Sequence, residues 1–128
     1  MNFEDNLSIL LVEDNELNQK LMKIGLTRYN YNVTIASNGL EGVEMFKQNK
    51  FDLILMDIMM PVMDGFEATK EIRNLERETG KLNRIPIIAF TANTINNDRE
   101  KCIKGGMDDI LVKPFDINKL RKILSLLD

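Results

Sequence analysis

Five side chains able to handle charged oxygen stand where apolar runs stop. Glu13 and Asp14 follow Ser8–Val12, Asp57 follows Phe51–Met56, Thr91 follows Pro86–Phe90, and Lys113 follows Ile110–Val112. The chain contains no histidine, so Ser-His-Asp and Cys-His catalysis and the common histidine zinc sites cannot be built. Carboxylates, hydroxyls, lysine and a hard cation remain. Three carboxylates brought together repel, and at least one is pushed towards its protonated form. A bound cation relieves this, and an all-oxygen donor set without His or Cys suits Mg²⁺. With Lys113 as the other positive charge, the group suits transient handling of a doubly charged anion.

The elements that must position these residues alternate. Short strands of buried type at Ser8–Val12, Phe51–Met56, Pro86–Phe90 and Ile110–Val112, and a more polar edge strand at Asn32–Ala36, are separated by amphipathic helices. The first helix carries Leu17, Leu21 and Ile24 at helical spacing, the second Leu40, Val43 and Phe46. A third starts near Asp64, a fourth runs from about Ile95 to Lys104, and the last carries Ile117, Leu120, Leu124 and Leu127. Asn74–Arg84 reads as a helix end plus connection. Five β-α units of this kind predict an α/β fold, a parallel sheet covered by helices on both faces. In such a sheet a ligand site lies beyond the carboxyl ends of the strands, where strand order reverses. Four strands deliver the five residues there, whereas the edge strand ends in uncharged Ser37-Asn38.

The bulk properties narrow the setting. A chain of 128 residues predicts one domain, over 1–128, and 44% apolar with 29% charged residues is ordinary for a globular protein. A net charge of -3 gives no reason to expect nucleic acid or an anionic membrane as partner. No apolar run approaches the roughly 20 residues that cross a bilayer, and the acidic N-terminus lacks the regions of a signal peptide. The single cysteine, Cys102, excludes an internal disulfide, fits a reducing cytoplasm, and reads as a packing residue.

Taken singly, Asp14 reads as a helix cap, Asp57 as a loop acid, Thr91 as a turn hydroxyl and Lys113 as a surface lysine. Those readings must all hold at successive strand ends, and the coincidence argues for a shared site. A flavin binder of this topology needs a Ser/Thr/Gly-rich phosphate loop, but Glu13–Asn18 would repel a phosphate. Neither G-x-G-x-x-G nor G-x-x-x-x-G-K-[ST] occurs. A haloacid dehalogenase-type phosphatase needs a second Asp two residues after the first, and position 59 is Met.

The segments ILLVEDNELNQKLM, DLILMDIMMPVMDG, IPIIAFTA and LVKPF, in this order and spacing, resemble a response-regulator receiver domain of two-component phosphorelay signalling. The wording around Glu13, Pro61 and Thr91 is most similar to receivers of hybrid sensor histidine kinases. The resemblance implies a flavodoxin-like, doubly wound five-stranded parallel sheet of order 2-1-3-4-5. It implies a signalling domain rather than an enzyme, one that catalyses its own phosphorylation and dephosphorylation at Asp57. Mg²⁺ would be held by Asp14 and Asp57, by Glu13 through a water, and by the Met59 carbonyl. Thr91 would turn towards the phosphoryl oxygens and Lys113 would offset their charge, aimed by a cis bond to Pro114.

The implied donor is a phosphohistidine on a histidine kinase or histidine phosphotransfer domain, docked near Leu17, Asn18 and Leu21. The domain is expected to be cytoplasmic, a monomer or a weak phosphorylation-dependent dimer, and a segment of a longer protein rather than free-standing. Two departures stand out. Ile110 occupies the position where the family usually has an aromatic ring, and Met59 and Asn93 flank the site where many relatives differ. The apolar Met59 side chain is expected to hinder an attacking water. The rival reading is a receiver-like module that binds partners without phosphorylation.

Overall fold

The computed structural model describes residues 6–80, 84–91 and 97–127. The elements follow in strict alternation: β1 (Ser8–Val12), α1 (Glu16–Thr27), β2 (Asn32–Ala36), α2 (Gly39–Gln48), β3 (Leu53–Asp57), α3 (Gly65–Glu78), β4 (Ile87–Thr91), α4 (Asn97–Lys104), β5 (Asp109–Val112) and α5 (Ile117–Leu127). The strands form one all-parallel sheet in the order β2-β1-β3-β4-β5. Strand order reverses at β1, which places the crevice between the carboxyl ends of β1 and β3.

Because successive residues of a strand point to opposite faces, the apolar runs supply two cores. Leu10, Val12, Ile54, Met56, Ile87 and Ala89 pack with Val43, Phe46, Ala68, Ile72 and Cys102 from α2, α3 and α4. Ile9, Leu11, Leu53, Leu55, Ile88 and Phe90 pack with Met22, Leu26, Leu120 and Leu124 from α1 and α5. Double burial is why Ile9–Val12, Leu53–Met56 and Ile87–Phe90 are apolar at every position, whereas β2, at an edge, alternates.

The expected elements differ in detail. The third strand begins at Leu53, because Asp52 instead pairs with Ser8 across its backbone N–H and its carboxylate. It runs through Asp57, so that acid is part of the strand. Pro86, without an N–H, offers only its carbonyl, to Ile54 (3.0 Å), and β4 starts after it. Of the stretch Asn74–Arg84, expected as a helix end plus connection, Asn74–Glu78 completes α3, which ends through Thr79 and a left-handed Gly80 (φ 67°), and residues 81–83 lie outside the described residues. Asn93 lies outside the described residues.

On α1 the leucines expected for docking lie on the outward face. Leu17, Leu21 and Ile24 face solvent, at 65%, 56% and 53% exposure, while Met22 and Leu26 enter the core. The helix carries two apolar stripes, and periodicity detects a stripe without saying which one the sheet covers. In α2, Val43 and Phe46 are buried but Leu40 is exposed; in α5, Leu120 and Leu124 are buried and Leu127 is exposed.

Candidate functional site

Carboxylate oxygens of Glu13, Asp14 and Asp57 all lie within 4.8 Å of one another at the carboxyl ends of β1 and β3. Glu13 is fully buried and Asp57 is 4% exposed, while Asp14 faces solvent. The cap role that competes for Asp14 belongs to its neighbour: the Asn15 side chain accepts from the Asn18 N–H (2.9 Å) at the start of α1. Asp64 does cap α3, accepting from the Glu67 N–H (2.9 Å), so it is a structural acid.

Glu13 is held from several sides. Its carboxylate accepts from the Asn15 backbone N–H (3.1 Å) and the Asn18 amide (3.4 Å), and its carbonyl accepts from Gln19 Nε2 (2.6 Å). Asn15 and Gln19 escaped the sequence reading as site residues, and Asn18 entered it only as a docking residue. The available signal was amide side chains in the first turn of α1, where they reach back over the strand that precedes the helix.

Lys113 Nζ stands 3.4 Å from Glu13 Oε1 and 3.5 Å from Asp57 Oδ1, so one ammonium faces both buried acids. Its backbone N–H bonds to the Thr91 carbonyl (2.8 Å), and the peptide to Pro114 is cis. Thr91 is buried at the end of β4, opposite Val112 of β5. Met59 sits two residues past Asp57 in the turn after β3, 78% exposed. Ile110 packs half-buried against the α2–α3–α4 core. Gly65 makes room beside the end of β3: a β-carbon there would collide with the Asp57 carbonyl oxygen and approach Ile58 Cα to 2.9 Å.

One ammonium does not balance three acids. The Asp57 carboxyl is pushed from its ordinary 3.8 up to about 7, first by burial, then by the hydrogen bond and charge of Glu13 and more weakly by Asp14, against the pull of Lys113. Clustered hard oxygen donors with unmet demand for positive charge fit a small dication such as Mg²⁺.

Residues 9–125 match the response regulator receiver domain family. The chain belongs to that family. This receiver domain of phosphorelay signalling is 39% identical over 91% of its length to a hybrid signal transduction histidine kinase I of Dictyostelium discoideum. It is 38% identical, again over 91%, to histidine kinase 5 of Arabidopsis thaliana. It spans only 7% and 15% of those two proteins. Among solved structures it matches the receiver domain of a Pseudomonas aeruginosa sensor histidine kinase with a magnesium ion coordinated in its active-site cleft (43% identity, TM-score 0.82, 94% of this chain and 96% of that one). It also matches the Saccharomyces cerevisiae receiver Ssk1 in complex with the histidine phosphotransfer protein Ypd1 (32% identity, TM-score 0.87, 97% and 90% covered). No described helix is long and apolar enough to cross a membrane.

Proposed function

We propose that this receiver accepts a phosphoryl group on Asp57 from a phosphohistidine of a histidine kinase or histidine phosphotransfer domain, in a Mg²⁺-dependent reaction. The observation that carries the reading is the convergence of Glu13, Asp14 and Asp57 within 4.8 Å around one lysine. Asp14 and Asp57 would hold the ion directly, Glu13 through a water, and the Met59 carbonyl would complete the protein's share. Magnesium supplies charge neutralisation at the phosphoryl oxygens.

An Asp57 oxygen bonds to phosphorus as the phosphorus–nitrogen bond breaks, and the electron pair of that bond stays with the departing imidazole. A carboxylate is a weak nucleophile, so positioning and electrostatics do most of the catalysis. The strand supplies the positioning, with Asp57 the last residue of a fully buried β3. Lys113 faces Asp57 Oδ1 and would offset the charge that arrives. The product adds roughly -1.5 to -2 charge in place of a single carboxylate. Thr91 then turns its hydroxyl to the new oxygens, and the surface of α4, β5 and α5 shifts between two populations.

The donor docks over α1. Leu17 and Leu21 are exposed there, and a groove of about 640 Å³ runs from Leu21 and Ile24 past Lys113 and Pro114 to Phe115. We infer that the chain works in the cytoplasm as the receiver segment of a hybrid kinase, in keeping with its likeness to such kinases.

Intact mass after incubation with acetyl phosphate and Mg²⁺, and separately with a phosphorylated histidine phosphotransfer domain, tests the proposal. One added phosphoryl group, lost in Asp57→Asn, is expected. An unchanged mass, together with no spectral response to beryllofluoride, would instead mark a module that binds partners without phosphorylation.

A further inference from the structure

The basic stripe of α3 has no part in the Asp57 site. Phe66, Lys70, Arg73 and Arg77 follow at intervals of four, three and four residues, which puts them on one helix face. Opposite them stand Arg84, ahead of β4, and Lys104 with the Gly105–Gly106 turn, ahead of β5. Together they line a cleft of about 490 Å³ that runs along α3 from Phe66 to the segments ahead of β4 and β5. Its described lining holds five basic side chains and no acid, in a chain whose net charge is -3.

The floor of this cleft is built rather than incidental. Arg73 is buried and donates to the Gly106 carbonyl (2.9 Å), the Ile85 carbonyl (2.8 Å), Glu76 (2.7 Å) and Asp108 (3.0 Å). Gly106 adopts a φ of 104°, and a β-carbon there would come within 3.1 Å of Arg73 Cγ, so both its backbone and its contact favour glycine. Arg84 also donates to the Gly106 carbonyl (2.7 Å) and pairs with Asp108 (3.1 Å).

The counter-charges are unevenly shared. Glu76 and Asp108 serve Arg73 and Arg84, and Lys104 has an exposed i,i+4 partner in Glu100 at 3.3 Å. Arg77 donates to the neutral Asn74 side chain, and neither Lys70 nor Arg77 makes an ion pair among the described residues. These two side chains stand two turns apart, roughly 10 Å along the axis. Both are long and can converge on one ligand, and two linked phosphates offer each of them its own negative group.

We propose that this cleft binds a small ligand carrying a diphosphate group, with Lys70 and Arg77 supplying the unneutralised charge. The diphosphate is either free or part of a nucleotide.

Titration of the ¹⁵N-labelled chain with pyrophosphate and with ADP, in chelator-containing buffer without Mg²⁺ at physiological salt, tests this. Saturating amide shifts are expected at Phe66, Lys70, Arg77, Gly105 and Gly106. Tighter binding of ADP identifies the nucleotide as the source, and equal binding identifies the phosphate chain alone. Lys70→Glu and Arg77→Glu, both at exposed positions, should each weaken binding about tenfold, the scale of one charge-assisted contact, while Asp57→Asn leaves it unchanged. Absence of saturating shifts with either ligand overturns the proposal. So does an equal loss in Lys122→Glu on α5, which would mean diffuse attraction rather than a site.

Discussion

Lys113 Nζ lies 3.5 Å from Asp57 Oδ1, although β4 stands between the two strands that carry them. The lysine crosses that gap above the Phe90 ring of β4, 5.2 Å from its centroid, an apolar support that also attracts the charge. An ammonium fixed before the phosphoryl group arrives needs no reorganisation during transfer. Lys113→Ala is therefore expected to slow phosphorylation of Asp57 by acetyl phosphate by about 10²–10³-fold, the scale of one lost preorganised donor. Lys113→Arg should recover only part of the rate, since a planar guanidinium does not reproduce a point charge. Initial rates of phosphoryl incorporation read both. A wild-type rate in Lys113→Ala would remove the lysine from the mechanism.

Asp57 makes stability depend on pH in a direction unusual for a carboxylate. Its folded-state pKa is raised to about 7 from 3.8, so between those values the folded chain holds a proton that the unfolded chain has released. Stability linked to this group is fully present below pH 3.8 and falls as pH rises through about 7. Asp57→Asn removes the dependence. Without Mg²⁺, the variant's advantage over wild type should grow from pH 5 to pH 8, towards a few kcal/mol. Added Mg²⁺ should shrink it, because the ion offsets the same charge. Urea unfolding at the two pH values measures the difference, and a pH-independent gap would mean that Asp57 ionises freely in the fold.

The legible parts of this structure are those where one residue type has one use. Continuous apolar runs such as Leu53–Met56 gave a doubly covered strand because nothing else in a globular protein is that short and that apolar. The charged residues that ended the runs had to gather at one edge once the strands were parallel. The illegible parts depend on partners far away in sequence. Arg73 sits in a stretch that reads as ordinary polar helix, yet it is buried against Glu76, Asp108 and the Gly106 carbonyl, up to 35 residues distant. Asp14 and Asn15 are equally good caps on paper, and only the backbone's entry into α1 assigns the role to Asn15 and leaves Asp14 to the acidic cluster. Of the two stripes on α1, the longer one is exposed, and spacing alone does not distinguish it from the stripe that the sheet covers.

That outward stripe leads to a separation of functions. Leu17 and Leu21 are exposed and neither takes part in the acidic cluster. Leu17→Asp combined with Leu21→Asp should leave phosphorylation by acetyl phosphate near the wild-type rate. The same variant should weaken transfer from a phosphorylated histidine phosphotransfer domain by about tenfold or more, as expected for apolar anchors at the centre of an interface. Parallel transfer assays with the two donors read the contrast. Equal effects on both would place the damage in the fold rather than in docking.

Met59 is expected to act on the lifetime of the proposed product rather than on its formation. Its side chain is 78% exposed, two residues beyond Asp57. A water that hydrolyses the acyl phosphate must approach phosphorus in line, from the side opposite Asp57. A flexible thioether chain near that approach offers bulk and no hydrogen bond that could orient the water, whereas an amide offers both a donor and an acceptor. Met59→Asn should therefore speed dephosphorylation severalfold and leave phosphorylation by acetyl phosphate nearly unchanged, since the proposed metal contact at this position is the backbone carbonyl. Because the residue is exposed, folding stability should also be unaltered. Decay of the phosphorylated chain after removal of the donor gives the rate, and an unchanged lifetime would show that water reaches the phosphoryl group without passing Met59.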